Sequence, residues 1–189
     1  FLELEDHVEK ENITCKVGIG HTRCAKHGES NDINAHPHTS MNCNFVLSHN
    51  GIIENYGRLK EKLIDRGYKF QTETDTEVLA NLIEYIYIKG NVSAEIAVRL
   101  ALSKVVGAYG LAIMCKDEPD KLIAARFGSP LVIGIGEGEY FIASDAAPII
   151  EYTRRVMYLD EGEMAVISDG ELTIKKIFDN TVVSKKISQ

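Results

Sequence analysis

From residue 109 to residue 178 the chain is a succession of short apolar runs: YGLAIMCK, KLIAARF, PLVIGIG, EYFIAS, RRVMYL, EMAVIS and LTIKKIF. Only short turns bearing Gly, Asp or Pro separate them, and that spacing constrains the fold more than any other feature. A parallel strand pair needs a crossover of a dozen or more residues, whereas antiparallel strands can be joined by a tight turn. The second part of the chain is therefore expected to form antiparallel hairpins. The Gly-rich stretch GIGEGEYF, 134–141, fits this scheme, because no helical pattern follows it. It reads as a hairpin turn and not as a phosphate-binding loop.

The first part has a helical period instead. YGRLKEKLIDR, 56–66, places Leu59, Leu63 and Ile64 on one face, with Gly67 as a C-terminal stop. A second helix is expected from about Asp75, capped by Thr74 or Asp75 and burying Val78, Leu79, Leu82, Ile83 and Ile86. A third, from Ser93 to about Val106, would bury Ile96, Leu100 and Val105. Residues 15–19 read as a short strand entering a histidine-rich loop, and 45–48 as an apolar strand that stops at the turn formers Asn50 and Gly51. Helices gathered in one part and strands in the other give an α+β class, with helices packed outside stacked sheets. The 189 residues contain no internal repeat, low-complexity segment or Pro/Gly/Ser linker, so residues 1–189 are expected to form one domain.

Charge and composition exclude several function classes. Net charge is −7, with Lys and Arg scattered, so no nucleic-acid partner is expected. No apolar stretch is long enough to cross a bilayer, so no membrane partner is expected either. The opening FLELEDHVEK is too acidic for a signal peptide. Cys15, Cys24, Cys43 and Cys115 show no paired spacing and read as reduced thiols of a cytoplasmic protein.

Residues 21–38, HTRCAKHGESNDINAHPH, hold four of the six histidines and invite a metal reading. A structural zinc site takes four ligands, commonly as close pairs. His27 lies nine residues before His36, and there is no C-x-x-C pair. On an extended segment His36 and His38 would face opposite ways. No metal and no cofactor are expected. Histidines that merely pin an irregular loop are the plainer reading, though they leave Arg23 unexplained.

Three polar pieces sit at the ends of expected core elements, where scaffolds commonly present binding groups. Arg23 offers a planar fork for a carboxylate. Asp75 offers a counter-charge for an ammonium. Asn50 and Gly51 offer a side-chain amide and an unhindered backbone N–H, the two donors of an oxyanion hole. Together they match a free α-amino acid under attack at a carbonyl. Each also has a bland reading: Arg23 as a surface ion-pair partner, Asp75 as a plain helix cap, Asn-Gly as a tight turn.

Seven motifs then appear in a particular order: GIGHTRCAKHG (18–28), NAHPH (34–38), SHNGIIENY (48–56), TDTEV (74–78), GAYGLAIM (107–114), FGSPLVIGIG (127–136) and FIASD (141–145). Through them essentially the whole chain resembles the glutaminase domain of the glutamine–fructose-6-phosphate aminotransferases, of the N-terminal-nucleophile class of glutamine amidotransferases. The resemblance implies a four-layer αββα sandwich of two antiparallel sheets between helical layers. It implies that Arg23 binds the α-carboxylate of L-glutamine, Asp75 binds its ammonium group, and Asn50 and Gly51 form the oxyanion hole. Lys26 and His27 would shape the loop closing over the substrate, while His36, His38 and His49 would hold loops. The implied partner is a C-terminal isomerase domain that receives ammonia for fructose 6-phosphate in amino-sugar synthesis, in a homo-oligomeric enzyme.

The chain departs from that pattern in places. The family attacks glutamine with an N-terminal cysteine, whereas residue 1 is Phe, so a domain truncated at its N-terminus and without turnover is expected. Cys24 stands where tryptophan is usual and Lys26 where threonine is usual. Nothing resembles the isomerase domain. The purine-pathway phosphoribosyl amidotransferases fit HTR-x-A-x-HG and NAHPH less well, and a non-catalytic amino-acid-binding module is the alternative from another class.

Overall fold

The structure is a computed structural model, and it describes residues 10, 15–22, 29, 31–185 and 187. The expected hairpins form. A seven-stranded sheet runs in the order β1 (His38–Thr39), β2 (Phe45–Ile53), β3 (Gly107–Cys115), β4 (Glu118–Phe127), β8 (Glu163–Ser168), β9 (Glu171–Lys176), β10 (Val182–Val183). A three-stranded sheet runs β6 (Tyr140–Ala143), β5 (Val132–Ile135), β7 (Val156–Tyr158). All paired strands are antiparallel. The stretch 134–141 is the β5–β6 hairpin. Between β2 and β3 lie three helices: α1 (Tyr56–Ile64), α2 (Asp75–Gly90) and α3 (Ala94–Leu102).

Strand alternation sorts the larger sheet into two faces. Phe45, Leu47, Ile53, Tyr109, Leu111, Ile113 and Ile123 meet the helices in one core. Ala124, Ala165 and Ile174 point the other way, onto Leu131, Ile133, Met157 and Leu159 of the second sheet region. The described residues thus build three layers of the expected four: helices, large sheet, small sheet. On the outer side of the small sheet the turn around Ile149 lies against Gly134, where an added Cβ would come within 2.4 Å of Ile149 Cγ2.

Several sequence expectations need correction. Residues 15–19 form no strand. β2 does not stop at Asn50 but runs through it to Ile53, because β3 continues the ladder opposite: Asn50 pairs with Gly110 and Gly51 with Tyr109. On α1, Leu59 and Leu63 are buried but Ile64 is half exposed. The third helix ends at Leu102, and it buries Ala94, Ala97, Val98 and Ala101 while Ile96 faces solvent and Leu100 is only partly covered. Small residues form its packing face against the core, so a reading led by bulky side chains chose the wrong stripe.

Candidate functional site

The geometry begins with an edge. β1 pairs with β2 only at His38–Leu47 and Thr39–Val46, so beyond residue 47 that edge of β2 is taken up by the start of α2. Asp75, at the first position of the helix, accepts the backbone N–H of Ile53 through Oδ2 at 2.7 Å. The next N–H, that of Glu54, goes to the opposite edge and donates to Val106 O at 2.8 Å. N–H directions alternate along a strand, so the Gly51 N–H points to the same edge as that of Ile53, about 7 Å further back at 3.4 Å per residue.

Only glycine fits at position 51. Its φ is +153°, and an added Cβ would lie 2.0 Å from the Ala108 carbonyl oxygen and 2.8 Å from His49 Nε2. Gly107, at φ +135°, meets the same restriction on the partner strand, where a Cβ would lie 2.1 Å from Ile52 O. The two strands approach too closely here for side chains between them. Asn50, half-buried, projects to the sheet face opposite His49 by the same alternation.

Asp75 is 5% exposed and lies at a helix N-terminus, where the backbone dipole favours a carboxylate. Thr74 is the cap, its hydroxyl accepting Glu77 N–H. Thr76 then joins the pieces. Its Oγ1 lies 3.1 Å from His49 Nδ1, 3.0 Å from His36 Nε2 and 3.5 Å from Asp75 Oδ1. His49 Nε2 faces the Ala108 carbonyl at 3.4 Å, and since a carbonyl cannot donate, that nitrogen carries the ring proton. One hydroxyl therefore links the 31–38 loop, strand β2 and the helix start.

The rest of α2 extends the same arrangement. All ten residues from Asp75 to Glu84 are buried, polar ones included, and buried polar groups need partners. Glu77 accepts the N–H groups of Gln71 and Thr72, and Asn81 accepts that of Met41 at 2.7 Å. Glu84 accepts the Ser40 hydroxyl at 2.6 Å, the Asn42 side-chain amide at 2.8 Å, and the backbone N–H groups of Asn42 and Asn44. This helix fixes the loops on either side of β1. Sequence reasoning missed Thr76, Asn81 and Glu84, although polar residues within an otherwise apolar helix are the signal for such fastening.

Of the residues expected in the site, Asp75, Asn50 and Gly51 gather at one end of β2. Arg23, Lys26 and His27 lie outside the described residues, as does Cys24. Cys115 is buried, and burial pushes its thiol pKa up, the reverse of what a nucleophile needs. Cys15 and Cys43 are exposed. The imidazoles of His36 and His38 do not face opposite ways, because the chain bends at 36–37; their ring centroids are 4.7 Å apart, edge to face. Among the described residues no group of three or more His, Cys, Asp or Glu is placed to hold a metal ion, and no helix is long and apolar enough to cross a membrane.

The stacked antiparallel sheets with helices on one side are an α+β sandwich of the type found in N-terminal-nucleophile amidotransferases. The glutamine phosphoribosylpyrophosphate amidotransferase of B. subtilis, solved with ADP and GMP, superposes with a TM-score of 0.69 at 31% identity, over 85% of this chain and 34% of that one. A glutamine aminotransferase class-II domain protein from Silicibacter pomeroyi shares the fold at 19% identity and a TM-score of 0.53, over 76% of this chain and 70% of that one. The glutamine amidotransferase domain family matches residues 21–151, and the chain belongs to that family. Its curated relatives include glutamine–fructose-6-phosphate aminotransferases (isomerizing). That of Bacteroides thetaiotaomicron is 56% identical over 89% of this chain and 28% of its own length. That of Thermococcus kodakarensis is 51% identical over 100% of this chain and 30% of its own length. The chain thus spans less than a third of these relatives.

Proposed function

We propose that this domain, residues 1–189, when joined to the N-terminal cysteine that the family uses, hydrolyses L-glutamine to glutamate and supplies the ammonia to an isomerase domain that aminates fructose 6-phosphate, in a cytoplasmic homo-oligomer; residues 1–189 alone are expected to show no turnover. The observation that carries this reading is the shared edge of β2: the Asp75 carboxylate accepts the Ile53 N–H, and the Gly51 N–H, two residues back along the strand, faces the same edge. An ammonium group held by Asp75 and an amide oxygen held at Gly51 and Asn50 would place a glutamine along that edge. Arg23 takes the α-carboxylate, and Lys26 and His27 form the loop that closes over the substrate.

In the family the thiolate of an N-terminal cysteine attacks the amide carbon. The carbonyl oxygen takes up negative charge, the C–N bond breaks as the nitrogen is protonated, and ammonia leaves. Water then cleaves the thioester to glutamate. Asn50 and Gly51 act on the oxyanion of both steps. No cofactor enters this chemistry.

The test is steady-state kinetics of Asn50→Ala in a form of the domain that carries an N-terminal cysteine. A donor that strengthens only as charge develops raises kcat and hardly affects binding. The variant is expected to lose about 10²–10³ in kcat, roughly 3–4 kcal/mol, with KM nearly unchanged. A near-native kcat removes Asn50 from the oxyanion hole. Turnover that survives intact with KM raised turns the reading toward a binding module.

A further inference from the structure

A second cleft lies between α1 and α2, away from Asp75 and Gly51. Its volume is about 400 Å³, and its wall carries Arg58, Lys62, Arg66 and Lys104 with no acidic residue in the lining. The first three follow one another at four-residue intervals, one stripe of α1 continued into the turn beyond it. Lys104 approaches from the segment after α3, which Asn55 fastens by donating to Lys104 O and accepting Val106 N–H.

This convergence is unusual for the molecule. The chain as a whole carries net charge −7. Six cations elsewhere find carboxylates: Lys16 meets Asp120, Lys121 meets Glu118, Arg126 meets Glu161, Lys175 meets Glu95, and Lys176 and Lys185 meet Glu163. Among the described residues none of the four cleft cations enters an ion pair. Arg66 is already oriented: one N–H donates to Lys62 O at 2.6 Å, and the guanidinium lies over the Tyr85 ring at 5.1 Å. Its remaining N–H groups keep the planar fork that matches a phosphate. The start of α1 adds to the field, with no acidic residue in its first turn.

We propose that this cleft is a binding site for a phosphate-bearing anion. The cations recognise the phosphate. The floor, formed by Leu59, Leu63, Leu82 and Ile86, is apolar and suits the carbon skeleton of a phosphate monoester better than a second charge. The site stands independently of the glutamine reading.

The experiment is an NMR titration of the 189-residue chain with inorganic phosphate and, separately, with a hexose 6-phosphate, each against sodium chloride of equal ionic strength. Saturable shifts confined to the backbone amides of 55–66, 82–86 and 104 are expected. Tighter binding of the ester identifies a monoester as the ligand, and equal binding identifies phosphate alone; both support the site. Arg58→Gln combined with Arg66→Gln should weaken the affinity at least tenfold while leaving the thermal transition in place, since both side chains are exposed. If that pair unfolds the chain, Lys104→Gln, in a different segment, carries the same expectation of weaker binding. Shifts that chloride reproduces, or that persist unchanged in the variants, overturn the proposal.

Discussion

Helix α2 and the C-terminal hairpins are both well packed, but they are fastened by different chemistry. Around α2, carboxylates and amides accept backbone N–H groups and hydroxyls: Asp75 from Ile53, Glu77 from Gln71 and Thr72, Glu84 from residues 40–44. Around β8, ion pairs do the work, with Glu163 held between Lys176 at 3.0 Å and Lys185 at 2.6 Å while it also accepts Asp160 N–H. A hydrogen bond to the main chain fixes where a loop runs to within tenths of an ångström. An ion pair between long side chains tolerates more slack. The region built by the stricter means is the one that presents Asn50, Gly51 and Asp75, and the region built by the looser means only has to keep the sheets stacked.

That contrast can be broken at its strongest point first. Gly51→Ala forces a methyl group into the Ala108 carbonyl at a backbone angle that side chains avoid. It should destabilise by about 3 kcal/mol or more and abolish glutamine binding, read by chemical denaturation and calorimetry. A stable Gly51→Ala protein that binds glutamine would mean β2 and β3 can separate enough to admit a methyl group between Gly51 and the Ala108 carbonyl. Next, Glu84→Ala removes the acceptor from four donors of the 40–44 loop, the Ser40 hydroxyl buried and the others part-buried, which should cost roughly 2–4 kcal/mol. Amide exchange should speed up at residues 40–44 more than in β8–β9. Uniform acceleration would show that Glu84 supports the fold as a whole and not that loop.

The smallest effect is expected from Lys185→Met, about 1–2 kcal/mol, because Lys176 still neutralises Glu163. Its pH dependence sharpens the comparison. Burial raises the Glu163 pKa, but the hydrogen bonds from Lys185, Asp160 N–H and Lys176 outweigh it, so the net direction is below the ordinary 4.5. A carboxylate with a depressed folded pKa contributes stability above its unfolded pKa and loses it as pH falls through the folded one. The gap between wild type and Lys185→Met should be widest near neutrality and close as pH falls below about 4.5. Urea midpoints from pH 7 to pH 3 measure it, and a gap that does not change with pH would remove the ion pair as its cause.

The strands after residue 109 were legible because alternation and short turns are local properties of the sequence. The helices were legible in position, but Ile64 and Ile96 show that apolar content alone misjudges which side is covered: alanines mark the close-packed face of α3, and size-weighted reading passes over them. Residue chemistry singled out Asp75 and the Asn50–Gly51 pair, and the structure brings these residues to one end of β2. What the sequence did not reveal is that Gly51 lies within a strand. The tight β2–β3 contact depends on Ala108, 57 positions away, and no local pattern encodes it. Thr76 was hidden for the same reason, its partners His36 and His49 lying in two other segments.

The most direct test of the site is a crystal structure of the domain with glutamine bound. The ligand is expected along the edge of β2 that faces the start of α2, its ammonium within about 3 Å of the Asp75 carboxylate and its side-chain amide oxygen within about 3 Å of Gly51 N. Glutamine bound in another cavity, or lying on β2 with these two ends unpaired, would contradict it.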